Sequence, residues 1–214
     1  MTTWIPMEKK CAVCGNTHTY HVLASTNSFG APDLDLRPAP MQRETMEGWL
    51  EECPECGYIA KDIRERPENR TVFQEERYLT ADNIPFESAL AARFYKYHLY
   101  CESIGDVKGD FYALLHSAWA CDDADDIENA RRMRREAVRK IDAIIKEHPE
   151  NETNTLLMKA DILRRSGEFD QVIALYEGMH FEEPLLDQIR MFQIERAKAH
   201  DDGCYTVAEV TGQE

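Results

Sequence analysis

The chain has 214 residues, a formal net charge of −15 and 43% hydrophobic residues. That apolar content supports a buried core without disulfides, while the acidic excess argues against nucleic acid or anionic lipid as a partner, because both call for a basic surface. No run approaches the ~18 apolar residues of a membrane helix, and no basic start with an apolar run opens the chain, so a cytoplasmic protein is expected.

Residues Met1 to Lys10 read as a short polar lead, after which CAVCG opens at Cys11. A second copy, CPECG, opens at Cys53. Two cysteines with two residues between them can place both sulfurs on one metal, and the following glycine lets backbone amides turn toward the thiolates. Cys11, Cys14, Cys53 and Cys56 are therefore the expected ligands of one tetrahedral ion, with 38 residues between the pairs. Free thiols, disulfides and thioredoxin-type redox chemistry are the competing readings, and a matched pair of motifs favours none of them. Zn2+ is the expected metal, since four thiolates close the coordination sphere and leave no place for a reactive water. Iron is the alternative, because Cys-Pro-x-Cys-Gly is also the rubredoxin knuckle; the lack of a visible aromatic core beside the knuckles weighs against an electron carrier. His18 and His21 lie near the first knuckle, but four cysteines already saturate the ion.

Between the knuckles, alternation over residues 17–23 predicts a strand with Tyr20 and Val22 on one side. The connector from Ser25 to Pro40 carries Gly30, Pro32, Pro38 and Pro40, and should run as turns over the surface. Within it, Asp33, Asp35 and Arg37 share one face if the chain is extended. Such a group could bind a cation or polar ligand and serve an enzyme; alternatively the aspartates cap turns and Arg37 ties the loop to the body. A strand reaching Cys53 is expected to pair with the first, and Tyr58, Ile59 and Ala60 to cover the metal or pack on helices.

Charge and Pro67 mark a boundary near residue 70, separating a ribbon-like module at 1–70 from a helical domain at 71–200 and a polar, frayed tail at 201–214. The first part carries a net −3 and the rest −12. Val72, Phe73, Tyr78 and Leu79 suggest a short helix or arm. Pro85 then starts a helix with Phe86, Leu90, Phe94, Tyr97 and Cys101 as its stripe, stopping at Gly105. A second helix begins near Asp110, and a third runs from Ile127 to Pro149. The basic residues Arg131, Arg132, Arg134 and Arg135 lie on the third, where adjacent carboxylates favour a solvated, salt-bridged face over a nucleic-acid patch. Cys101, Cys121 and Cys204 are expected to be reduced packing thiols.

Leu156 to Tyr176 reads as two helices turned at Gly167. Leu156, Ala160, Leu163, Val172, Tyr176 and Pro184 follow the spacing of the tetratricopeptide repeat, from which Lys159 and Met179 depart. Pro149 and Pro184 lie nearly one period apart, and residues 185–200 supply a capping helix. The fold class expected is α+β, mostly α: a small zinc-ribbon-like β module followed by a tetratricopeptide-like bundle.

CAVCG, PDLDLRP at Pro32 to Pro38, QRETMEGW at Gln42 to Trp49 and CPECGYIA at Cys53 to Ala60 together resemble an uncharacterised bacterial family with two knuckles and tetratricopeptide-like helices. The resemblance implies a cytosolic zinc-bearing protein with a helical repeat, and no activity. The function expected is capture of a protein or peptide partner. Tyr95, Tyr97 and Tyr100 of the same helix could line the groove or pack between modules. An enzyme using Asp33, Asp35 and Arg37, or a nucleic-acid-binding ribbon, are the alternatives.

Overall fold

A computed structural model describes residues 1–147 and 152–212. Its architecture is α+β and mostly α, with two small antiparallel sheets followed by a helical bundle. The short polar lead is a strand: β1 (Thr3–Lys10) pairs antiparallel with β2 (Thr17–Ser25), and the first knuckle is the turn between them. The second hairpin is minimal, β3 (Glu51–Glu52) against β4 (Ile59–Ala60), and the second knuckle is its turn. The strand reaching Cys53 thus pairs with the strand leaving Cys56, and not with β2. Each knuckle needs both of its flanking strands to set its own exit, so the two hairpins close locally.

The connector runs over the surface as expected through residues 25–32 and then turns inward. Asp33, Leu34, Asp35, Arg37 and Ala39 are buried, and Leu36 takes a left-handed conformation (φ 65°) that turns the chain back on itself. Residues 43–48, 71–74 and 81–83 form short 3-10 helices of one or two turns, and α1 (Glu76–Leu79) is one further turn that buries Tyr78 and leaves Leu79 exposed.

Four long helices build the first part of the bundle: α2 (Ala89–Ile104), α3 (Val107–Asp122), α4 (Ile127–Glu147) and α5 (Glu152–Arg165). The helix expected from Pro85 starts four residues later, because the Ser88 hydroxyl accepts the Ala91 amide and caps it; Phe86 packs outside the helix against Tyr95. Likewise α3 begins at Val107, since the Asp106 carboxylate accepts from the Gly109 amide at 2.8 Å. A Cβ at position 109 would lie 2.2 Å from that carboxylate and 2.9 Å from the buried Cys101 Sγ. Gly109→Ala is expected to destabilise the protein by about 1–3 kcal/mol through loss of the cap and overpacking, read from denaturant melts. Gly105, at φ 72°, ends α2 where expected. Pro149 lies outside the described residues.

Beyond α5, α6 (Phe169–Tyr176) folds back across the Gly167 turn, and Tyr176 Oη donates to the Leu156 carbonyl at 2.7 Å. Ala160, Leu163, Val172 and Tyr176 pack with Ile194 and Ala197 of α7 (Pro184–Lys198). The segment expected to fray is folded. Thr206 bridges Asp33, the Val207 amide donates to the Pro32 carbonyl, and α8 (Val207–Thr211) buries Val210 against Leu34, Leu157 and Ile189. Its docking partner is the connector, and that long-range pairing leaves no periodic trace in the sequence. One apolar cluster runs without interruption from Cys11 and Met46 through Tyr58, Phe94, Leu114 and Met133 to Ile162.

Candidate metal centre and the adjoining cleft

The two knuckles have the same backbone. Gly15 and Gly57 adopt φ 79° and 70°, and their amides donate back to the carbonyls of Cys11 and Cys53 at 3.0 and 2.9 Å. The Cys11 and Cys53 amides in turn donate to Asn16 and Tyr58, both at 2.8 Å. With both turns closed, the four thiol sulfurs lie within 4.8 Å of one another. Cys11 and Cys56 approach to 3.8 Å, Cys14 and Cys53 to 3.6 Å. A tetrahedron with metal–sulfur arms of about 2.3 Å has edges of about 3.8 Å, whereas a disulfide needs about 2.05 Å. The donor set fits one metal ion, and its edges suit zinc and iron alike.

Backbone amides point at the sulfurs as the sequence implied. The Asn16 amide pulls the Cys14 thiol below its ordinary value. Burial pushes Cys53 and Cys56 up, against amides of Glu55, Cys56 and Tyr58 that favour the thiolate. Cys14 is exposed, while Cys11 and Cys53 belong to the main core. His18 and His21 do not enter the group.

The knuckles are braced from the body. The Ala12 amide donates to Ile63 O, Arg70 to Val13 O and Tyr78 Oη to Gly57 O, at 3.0, 2.8 and 2.7 Å. Buried Glu51 pairs with Lys9 and accepts the Ile63 amide, so one carboxylate ties β1 and the segment after the second knuckle to β3. Contrary to expectation, an aromatic cluster does stand beside the second knuckle: Phe73 packs against Tyr58, Tyr78 and Tyr100 with ring centroids 5.1–5.7 Å apart. Its members come from four separate segments, so no local motif announces it.

Asp33, Asp35 and Arg37 do not share a face. Asp33 accepts from Arg43 at 2.7 Å, and Arg37 pairs with Asp123. Asp35 is fully buried and accepts from Trp119 Nε1 at 2.7 Å, Arg165 at 3.0 Å and the Arg37 amide at 3.2 Å. The turn at Leu36 breaks the extended geometry a shared face requires; Asp35 and Arg37 tie the connector to the helical bundle, and Asp33 ties it to the 3-10 segment at Arg43. Arg134, expected on a solvated face, is buried and held by Asp122; Arg131 pairs with Asp202, and Lys140 with Asp110 and Glu102.

Between the second hairpin and helices α2 and α3 opens a cleft of about 600 Å3, within the usual range of ligand sites. Trp49, Phe94, Tyr97, Tyr112 and His116 line it, with Lys61 and Lys108 also on its wall. The His116 ring sits among Trp49, Phe94 and Trp119 at centroid distances of 4.9, 5.1 and 4.8 Å. Burial among those rings, with Lys61 adding to it, lowers its pKa to about 3, so the imidazole is neutral. Of these residues, only Tyr97 stood out as a possible groove residue in the sequence. Lys108, Tyr112 and His116, at spacings of four on α3, are the signal that marks the wall.

Three comparisons bear on identity: no family model, no curated protein and no solved structure matches the chain. Among the described residues, no helix is long and apolar enough to cross a membrane.

Proposed function

We propose that the chain is a zinc-stapled binding module that captures a peptide segment of a partner protein in the aromatic cleft. The observation that carries this reading is the cleft itself, walled by four aromatic side chains and formed where the metal-bearing hairpin meets α2 and α3. Rigid aromatic walls supply large contact area at low entropic cost, which is the chemistry of peptide anchoring. The four-sulfur donor set leaves a bound Zn2+ no vacant position, so its part is to hold both knuckles and with them one wall. The thiols fit a reducing compartment, the cytoplasm. Helices α5 and α6, as a tetratricopeptide-like pair with α7 as cap, extend the body behind the cleft.

Panning a displayed random-peptide library on the metal-loaded protein should enrich sequences with an aromatic or large apolar anchor. Tyr97→Ala/Tyr112→Ala should lose affinity for them by about 30-fold or more, with metal content and helicity unchanged, since both rings are only half-buried. Equal enrichment on the double variant sinks the reading.

Iron is the second reading of the metal, favoured by Pro54 in the second knuckle and the aromatic cluster beside it. Elemental analysis with a visible spectrum separates the two: one zinc per chain and no colour are expected, and one iron with a red solution would make the module a redox-partner platform.

A further inference from the structure

We propose that the cleft reads a chain terminus, taking an aromatic C-terminal side chain between its rings and the adjoining α-carboxylate between Lys61 and Lys108. This rests on the peptide-capture reading and names its ligand. The charge pattern is the first argument. In a chain with 40 acidic and 25 basic side chains, Lys61 and Lys108 are exposed on the cleft wall, and neither makes an ion pair among the described residues. The one acidic residue on the wall, Asp106, has a carboxylate oxygen committed to the Gly109 amide as the cap of α3. That carboxylate answers the positive end of its own helix, and the two ammonium groups remain for a ligand.

The interior supplies the second argument. His116 lies enclosed by aromatic rings, lines the cleft, and makes no hydrogen bond with a described residue. A neutral imidazole can accept from an N–H through one nitrogen and donate to a C=O through the other. It therefore matches the last peptide unit of a ligand, while the negative charge stays at the lysines and out of the ring cage. The cleft has the volume of a small-ligand site, which suits the end of a chain better than a segment passing through.

The test is calorimetric titration of the metal-loaded full chain with acetyl-Gly-Ser-Gly-X, X being Phe, Tyr or Trp, each as free acid and as C-terminal amide. The free acids should bind about tenfold more tightly than the amides at low salt, the size expected of two solvent-facing charge pairs. Lys61→Ala/Lys108→Ala, at exposed positions, should erase the difference while amide binding persists. Equal affinity of acid and amide overturns the carboxylate assignment and leaves peptide capture standing. Failure of every acid and amide to bind, beside library peptides that do bind, overturns the terminus assignment. Failure of both sets overturns the capture reading itself.

Discussion

Cys53→Ser is expected to abolish metal binding and unfold the protein at moderate temperature, whereas Cys204→Ser should melt within a degree or two of wild type. The difference follows from where the sulfurs sit. Cys53 is fully buried, and its neighbours in the core include Tyr58, Ile59, Ile63 and Phe73. The two hairpins that carry the ligands cannot persist alone: β3 and β4 are two residues each, and isolated two-stranded ribbons are marginal in water. Structural zinc contributes an apparent binding free energy on the order of 10–16 kcal/mol in small peptides, comparable to the ~5–15 kcal/mol that hold a whole domain together. Because Cys11, Cys53 and the helices α2 to α5 share one apolar cluster, the loss should spread beyond the hairpins. Far-UV circular dichroism and tryptophan fluorescence should therefore decay in one transition, in Cys53→Ser and in wild type stripped by a chelator. Cys204 is exposed and outside the sulfur group, and surface changes of that kind stay within about 0.5 kcal/mol. A chelated protein that melts like the loaded one would end the claim that the metal organises this fold.

The metal ligands were legible because their signal is local. Two Cys-x-x-Cys-Gly units specify two turns, and the structure needs only to bring the turns together. The helices were legible in type and less so at their starts, where short-range capping by Ser88 and Asp106 overrides the first apolar residue of the stripe. What stayed hidden depends on distant pairing. Asp35 meets Trp119 and Arg165 across 84 and 130 residues of chain, and the segment after Asp201 folds against the connector at Pro32, Asp33 and Leu34 and against α7. Nothing in a window of ten or twenty residues encodes such a contact. The cleft is intermediate: the i, i+4 recurrence of Lys108, Tyr112 and His116 on α3 is visible in the sequence, but Trp49 and Lys61 join it only through the second hairpin.

Asp35→Ala should be among the most destabilising single changes outside the metal site, by about 3–5 kcal/mol, the summed cost of two buried donors left unpaired, one of them on a charged group. The carboxylate is wholly excluded from solvent, and its removal strands the Trp119 indole N–H and one guanidinium N–H of Arg165 in the interior. A second layer sits above it, where Asp122 accepts from Arg134 and Arg165. The contrast is Asp202→Ala, which removes the part-exposed partner of an equally part-exposed Arg131 and should cost under about 1 kcal/mol. Chemical denaturation of both variants gives the comparison, and similar losses would refute the ranking. Adding Arg165→Met to Asp35→Ala should recover part of the loss, because the second substitution removes one of the two stranded donors and the effects of residues in contact do not add. The same layer contributes to the acid limb of stability, beside other carboxylates held low such as Asp62 and Glu102. Burial would raise the Asp122 carboxyl, but Arg134, Arg165 and Arg37 hold it below the ordinary carboxylate range in the folded protein. A group depressed on folding contributes stability above its unfolded value, near ~3.9, and that contribution is lost as pH falls through the folded value. Denaturation midpoints should therefore drop below about pH 4 in wild type, and Asp122→Asn, already weakened at neutral pH, should show a flatter acid limb. An acid limb equally steep in both proteins would remove Asp122 from the account.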